Sequence, residues 1–298
     1  MRITVVVPSR GRVFGLTGIL RSMRFLESGK HEVKYVVGVD EDDEETQEAC
    51  KALRSKQQLP LGYRTDKRPV SLGGLINQLA LCEPADVYTA VNDDIVCLTP
   101  NWDEEIAKAV EKLPHGVFWW TDKSGNGALF PIVTEKWRAA AGGIFSEWFP
   151  FWYDDLCLLE LWMMATDEEV HQLDIFLCDK PRTVTHRMRE LKFWQQIYIA
   201  SRVLRIKQAR EIAERLGLPS PECTEHVAAL MNAQLRSVAP GWIQSIEDNQ
   251  GDKNPPDENY FIAKARAEKM LAEVKRDLEG QDVPVARAAR AALLAIAA

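Results

Sequence analysis

Acidic and amide side chains recur in this chain at the ends of short apolar runs, where they can do chemistry. Val87-Tyr88-Thr89-Ala90-Val91 is a β-branched and aromatic run that delivers Asn92, Asp93 and Asp94 at its end. A strand closed by clustered oxygen ligands suits a hard divalent cation held against phosphate. The same residues also fit a solvated acidic turn ahead of a helix that starts near Trp102. Upstream, the apolar run Tyr35 to Val39 ends at Asp40, and Ile3 to Val7 leads into Pro8-Ser9-Arg10-Gly11-Arg12. That loop is rich in breakers and carries two guanidinium groups suited to phosphate or to stacking on a base. Downstream, Tyr153-Asp154-Asp155 opens an apolar stretch of helical spacing. A carboxylate there can take a proton from a hydroxyl, or can cap the helix, since Asp is a preferred N-cap.

The elements that position these groups follow from periodicity. After the first run, Leu16, Ile19, Leu20, Met23 and Leu26 recur at helical spacing, and further helices are expected over 44–54, 74–82 and 102–113. Gly116 to Trp120 reads as a strand, Gly125-Asn126-Gly127 as a turn before the run 128–133, and Ile175 to Cys178 as a short late strand. Apolar runs separated by helices point to a parallel sheet covered on both faces. Such sheets place ligands outside the carboxyl ends of their strands. Residues 8–12, 40–43 and 92–94 are thereby expected on one rim. Within 41–45 the acidic side chains read as a solvated helix start, with Asp40 the functional one.

After about Lys180 the alternation gives way to helices. Leu191 to Leu216 contains no Gly or Pro and reads as one long helix. A loop over 248–257, with Asn254-Pro255-Pro256, precedes a helix over 260–278, and the Ala-rich tail 285–298 fits a helix or a frayed end. The expected organisation is an α/β domain over 1–190 and a helical region over 191–298.

Composition excludes several classes. The 298 residues carry a formal net charge of -7, which argues against a broad nucleic-acid surface, since duplex binding uses many Lys and Arg contacts. Apolar content of 46% and charged content of 27% are ordinary for a globular chain. No apolar run approaches the roughly 20 residues of a membrane span, and the start shows no signal-peptide layout, so a cytoplasmic protein is expected. Six cysteines are scattered without a CxxC pair and read as buried, reduced thiols. A Walker-type phosphate loop, GxGxxG and GxSxG are all missing.

Taken in order, Ile3-Thr4-Val5-Val6-Val7-Pro8-Ser9-Arg10, Val36-Val37-Gly38-Val39-Asp40, Asn92-Asp93-Asp94 and Tyr153-Asp154-Asp155 resemble the motif series of GT-A-fold glycosyltransferases, above all the inverting family 2. The resemblance covers about residues 1–190. It implies a Rossmann-like, mostly parallel sheet flanked by helices, with the helical C-terminal part as an extension. It also implies a nucleoside-diphosphate sugar as donor, UDP-linked by default, and Mn2+ or Mg2+ bridging its phosphates. The family's metal motif is Asp-x-Asp; here Asn92 stands first, Asp94 is matched to the metal, and Asp93 to metal or ribose. Asp40 is matched to the nucleobase or ribose, and Pro8, Ser9, Arg10 and Arg12 to the nucleotide loop. Arg68 and Asn77 fall in the segment that packs beside the donor. The glycine-bearing stretch from Ala141 to Asp155 resembles the acceptor loop and base, with Asp155 the first choice and Asp154 the second. His186 matches a histidine that completes the metal shell in many members, though a lone His is more often an ordinary surface or core residue.

The resemblance implies a hydroxyl acceptor: a glycan, including a phospholipid-linked one, or a hydroxylated base in nucleic acid, as some viral enzymes of this fold modify. Arg182, Arg187, Arg189, Lys192, Arg202, Arg205, Lys207 and Arg210 form a basic cluster that fits an anionic acceptor or a solvated helix face. Trp119, Trp120, Trp137, Trp148 and Trp152 fit sugar stacking or core packing. Two rival functions share the sheet and the carboxylates: a sugar-phosphate nucleotidyltransferase, and a non-catalytic nucleotide-sugar-binding module. The former usually has a Gly-rich, basic loop after the first strand, which residues 8–12 match only in part.

Overall fold

A computed structural model of the chain describes residues 1–56, 59–122, 130–150, 153–179, 189–219, 256–279 and 284–297. It divides into two compact units, Met1–Phe145 with Glu169–Arg182 and Ser146–Glu168 with Thr183–Ala298. Residues 146–168 thus group with the helices rather than with the α/β part, a different division from a boundary near residue 190.

The first unit is built on an eight-stranded sheet of order β3-β2-β1-β4-β7-β6-β8-β5. Its parallel half consists of β1 (Arg2–Ser9), β2 (Glu32–Asp40), β3 (Leu61–Asp66) and β4 (Val87–Ala90). Beyond β4 the sheet is mixed. The strand β7 (Pro131–Thr134) is antiparallel to β4 and to β6 (Val117–Asp122); β6 runs parallel to β8 (His171–Asp179), and β5 (Ile95–Cys97) closes the edge antiparallel to β8. The helices α1 (Val13–Phe25), α2 (Glu44–Lys56), α3 (Leu72–Cys82), α4 (Trp102–Lys112) and α5 (Glu135–Ala141) complete the unit.

Both faces of β1, β2 and β4 are buried, which is why these strands read as continuous apolar runs. Ile3, Val5, Val7, Tyr35, Val37 and Val39 share a core with Leu16, Ile19, Leu20 and Met23 of α1. The opposite face meets α3 so closely that a Cβ on Gly38 would lie 2.7 Å from a Leu79 methyl. Ser71 caps α3 by accepting a hydrogen bond from Gly74 N at 3.1 Å. Two strands escape the sequence pattern. The exposed edge strand β3 alternates poorly, and β5 has only three residues.

The second unit contains α6 (Asp154–Thr166), α7 (Leu191–Ala200), α8 (Arg202–Leu216), α9 (Glu258–Asp277) and α10 (Pro284–Ala297). The single helix expected over 191–216 is two, broken at Ser201. The buried Ser201 hydroxyl donates to Tyr198 O at 3.2 Å and accepts from Arg205 Nη1 at 2.6 Å, a local competition with the helical ladder. The Ala-rich tail is helical, and Asp257 caps α9 by accepting from Tyr260 N at 2.9 Å. The segment 220–250 and the turn at 125–127 lie outside the described residues.

Arg202 and Arg205 are buried, so they form no solvated face. Glu160 of α6 accepts from both, with Arg202 Nε at 2.8 Å, and this buried cluster ties α8 to α6. Lys192, Lys207 and Arg210 are exposed, Arg189 lies over the Tyr260 ring at 5.1 Å, and Arg182 and Arg187 lie outside the described residues.

Candidate functional site

At the carboxyl ends of β1, β2 and β4 the chain makes one interlocked rim. The loop that leaves β1 is fastened residue by residue to acidic groups from the other two strand ends. Ser9 Oγ donates to Asp93 Oδ2 at 2.8 Å in a buried contact. Arg10 Nη1 reaches Asp40 Oδ2 at 2.6 Å, and its fork grips Asp42 through Nη1 at 2.5 Å and Nη2 at 2.8 Å. Gly11, in the left-handed region at φ +62, donates its N–H to Asp43 Oδ2 at 2.6 Å. Arg12 Nη1 lies 3.0 Å from both Asp93 Oδ1 and Asp94 Oδ2.

The groups of the rim differ in exposure, and their electrostatics follow. Asp93 is buried and Asp94 lies partly open, with 20% of its side chain exposed against 6% for Asp93. Burial raises the Asp93 carboxyl above the ordinary value, opposed by Arg12 and Ser9. Burial likewise raises Asp40, opposed by Arg10 and by the charge of Arg68. Asp42, exposed, is held down to about 2 by its hydrogen bonds from Arg10. For Asp43 burial acts upward, but hydrogen bonds from Thr46 and from the Gly11 backbone outweigh it and leave the carboxyl lowered.

Of the sequence-expected residues in this unit, Ser9, Arg10, Arg12, Asp40, Asp93 and Asp94 are brought together directly. Arg68 joins them electrostatically by acting on Asp40 and Asp42. Pro8 is the penultimate residue of β1, in register with Gly38, and Asn92 is exposed just after β4. Asn77 has another placement. Its Oδ1 accepts from Ile144 N at 2.8 Å and Phe145 N at 3.0 Å, and its Nδ2 donates to Phe145 O at 2.9 Å, so the amide clamps the 143–145 loop. Its carboxamide is what makes a Cβ on Gly143 impossible without a shift.

Sequence reasoning passed over Asp42, Asp43 and Gly15. The two aspartates sit in an acidic run read as solvated, yet Asp43 is buried and also caps α2 by accepting from Thr46 N at 3.2 Å. Gly15 in the first turn of α1 admits the Asp93 backbone; its only sequence signal is a glycine inside a helical pattern.

In the second unit, Asp154 and Asp155 form the first turn of α6. The residue before them, Tyr153, is held in the left-handed region at φ 74 and stacks on Tyr198 with ring centroids 5.0 Å apart. Asp154 is buried, and Asp155 is half-buried and accepts from Leu156 N at 2.8 Å. Burial raises the Asp155 carboxyl, with the backbone hydrogen bonds opposing. Trp119, Trp120 and Trp137 are core residues, fully buried; Trp148 is half-buried, and Trp152 and His186 lie outside the described residues. Cys50, Cys97 and Cys157 are buried free thiols, whereas Cys82, on the outer face of α3, is exposed and Cys178 is half-buried.

Among the described residues no group of three or more His, Cys, Asp or Glu is arranged to hold a metal ion. The donor set at the rim nevertheless fits a hard divalent cation. Such ions are commonly held by one or two carboxylates, with phosphate and water filling the remaining positions, and Asp94 supplies a partly open carboxylate oxygen. No helix among the described residues is long and apolar enough to cross a membrane.

No family model matches the chain, and no curated protein matches it in sequence. Solved structures do share its fold. The mannosyltransferase PcManGT from Pyrobaculum calidifontis, in complex with GDP-Man and Mn2+, superposes at a TM-score of 0.55 with 12% identity, over 99% of this chain and 79% of that one. TarS 1-349 of S. aureus in complex with UDP-GlcNAc superposes at 0.54 with 15% identity, over 94% of this chain and 92% of that one. The α/β fold of GT-A glycosyltransferases, expected from the motif series, is the fold this chain has.

Proposed function

We propose that this chain is an inverting glycosyltransferase that moves a sugar from a nucleoside-diphosphate sugar to an acceptor hydroxyl. The observation that carries the reading is the rim itself, where Arg10 and Arg12 are seated among Asp40, Asp42, Asp93 and Asp94 at the carboxyl ends of three parallel strands. The structures that share the fold were solved with GDP-Man and Mn2+ and with UDP-GlcNAc, which supports a nucleotide-sugar donor.

In this reading Asp40 meets the ribose or base, and Arg10 and Arg68 oppose the upward pull of burial on its carboxyl. Asp94, with His186, would hold Mn2+ or Mg2+, which supplies positive charge against the departing diphosphate. Asp93 is anchored by Ser9 and Arg12 and keeps the corner in shape. Asp155 takes the proton of the acceptor hydroxyl as its oxygen attacks the anomeric carbon and the bond to the diphosphate breaks, with inversion at that carbon. A carboxylate raised by burial is a stronger base than an exposed one, which suits this role. The acceptor is a glycan or another hydroxyl compound. Arg202 and Arg205 are engaged by Glu160, so they are not available to an anionic acceptor such as nucleic acid.

Incubation of the protein with UDP- and GDP-sugars and Mn2+ tests the reading through slow donor hydrolysis, the background reaction of a transferase without its acceptor. Release of UDP or GDP and free sugar is the expected result. Pyrophosphate formed from a nucleoside triphosphate and a sugar phosphate would instead identify a nucleotidyltransferase.

A further inference from the structure

Taking the rim as the donor site proposed above, we infer that Arg12 is a tethered cation that exchanges Asp94 for the donor's diphosphate when donor and metal arrive. Its Nη1 is shared equally between two carboxylates, 3.0 Å from Asp93 Oδ1 and 3.0 Å from Asp94 Oδ2. These two partners are unequal. Asp93 is buried, and its other oxygen is fixed by Ser9, so separating Arg12 from it would leave a buried carboxylate without its cation. Asp94 is the more open of the two, with 20% of its side chain exposed, so a cation arriving from solvent can reach it and compete with Arg12.

Arg12 therefore has a permanent anchor and an exchangeable partner. Without donor it neutralises Asp94, which disfavours a bare divalent ion there by charge repulsion and by occupying a carboxylate oxygen. Once a metal takes Asp94, the guanidinium stays on Asp93. Its planar fork is suited to phosphate oxygens, so the group can turn toward the diphosphate that arrives with the metal. Metal and nucleotide thus bind cooperatively, each relieving the same ion pair.

Binding of Mn2+ to the full chain, followed by electron paramagnetic resonance with and without UDP or GDP, tests this. Arg12→Gln removes the charge at near-constant size. It is expected to bind Mn2+ alone about tenfold more tightly than the native chain, and Mn2+ with nucleotide about tenfold more weakly. Opposite signs are the signature. Shifts of the same sign, or none, overturn the inference, because a merely structural Arg12 moves both affinities together. Arg12→Lys keeps the charge and loses the fork, so Mn2+ alone stays weak while the nucleotide complex weakens; tightening like that of Arg12→Gln would also overturn it. Asp94→Asn separates the two levels of the account. If it abolishes Mn2+ binding while Arg12→Gln shifts both affinities the same way, the donor-site reading stands and the inference fails. If no variant binds Mn2+ with either nucleotide, the reading fails and the inference with it.

Discussion

Gly15 and Asp93 touch through their backbones: a Cβ on Gly15 would stand 2.2 Å from the Asp93 carbonyl oxygen. The first turn of α1 thereby presses against the turn that carries the acidic corner, and no side chain fits between them. Gly15→Ala must push the two apart. The substitution is expected to cost about 1–3 kcal/mol of stability and to weaken nucleotide binding together with it. Gly62→Ala is the control, because the nearest atom to its added Cβ is 3.9 Å away; its urea midpoint and nucleotide affinity are expected to stay close to those of the native chain. Equal behaviour of the two variants would contradict the contact.

Asn77 separates a structural role from a donor contact. Asn77→Ala removes three hydrogen bonds to the backbone of Ile144 and Phe145. A stability loss of about 2 kcal/mol is expected in urea titration, with UDP and GDP affinities held within about twofold of native. A selective loss of nucleotide affinity without loss of stability would instead place the amide on the donor.

The Arg10 clamp is expected to open in two steps in acid. Asp42 lies below its ordinary value of 3.8, at about 2, so its stabilising contribution is complete above 3.8 and is lost as pH falls toward about 2. Asp40 behaves oppositely. Burial raises it, so it takes up its proton at a higher pH than an exposed aspartate, and the Arg10–Asp40 pair goes first. Carboxyl carbon shifts followed by nuclear magnetic resonance give the order directly. A simultaneous titration, or Asp42 before Asp40, would contradict this account of the loop.

Asp155→Asn is expected to reduce transfer about a thousandfold while leaving donor binding intact, and the acid limb of native kcat is expected above the ordinary carboxylate range, since burial raises Asp155. Steady-state kinetics against pH and a donor titration check both. If donor binding were lost as well, Asp155 would hold metal or structure rather than act as base.

Much of the rim is legible in sequence because it rests on backbone periodicity. Uninterrupted apolar runs mark strands buried on both faces, and their ends locate Ser9, Arg10, Asp40 and Asp93 without any tertiary information. Side chains whose meaning depends on a distant partner are not legible in the same way. Asp42 and Asp43 look solvated until Arg10 and Gly11 reach them, and Arg202 and Arg205 look like a basic face until Glu160 is found among the apolar residues of α6. The break at Ser201 is hidden for the same reason, since it depends on hydrogen bonds to Tyr198 and Arg205 rather than on Gly or Pro.

Calorimetric titration of UDP- and GDP-sugars into the native chain and into Asp94→Asn, each with and without Mn2+, tests whether Asp94 holds a metal for the donor. One donor is expected to bind the native chain in a Mn2+-dependent manner, and Asp94→Asn is expected to lose that dependence together with most of the affinity. Binding that ignores both the metal and the substitution, or no binding of any nucleotide sugar, would contradict that role.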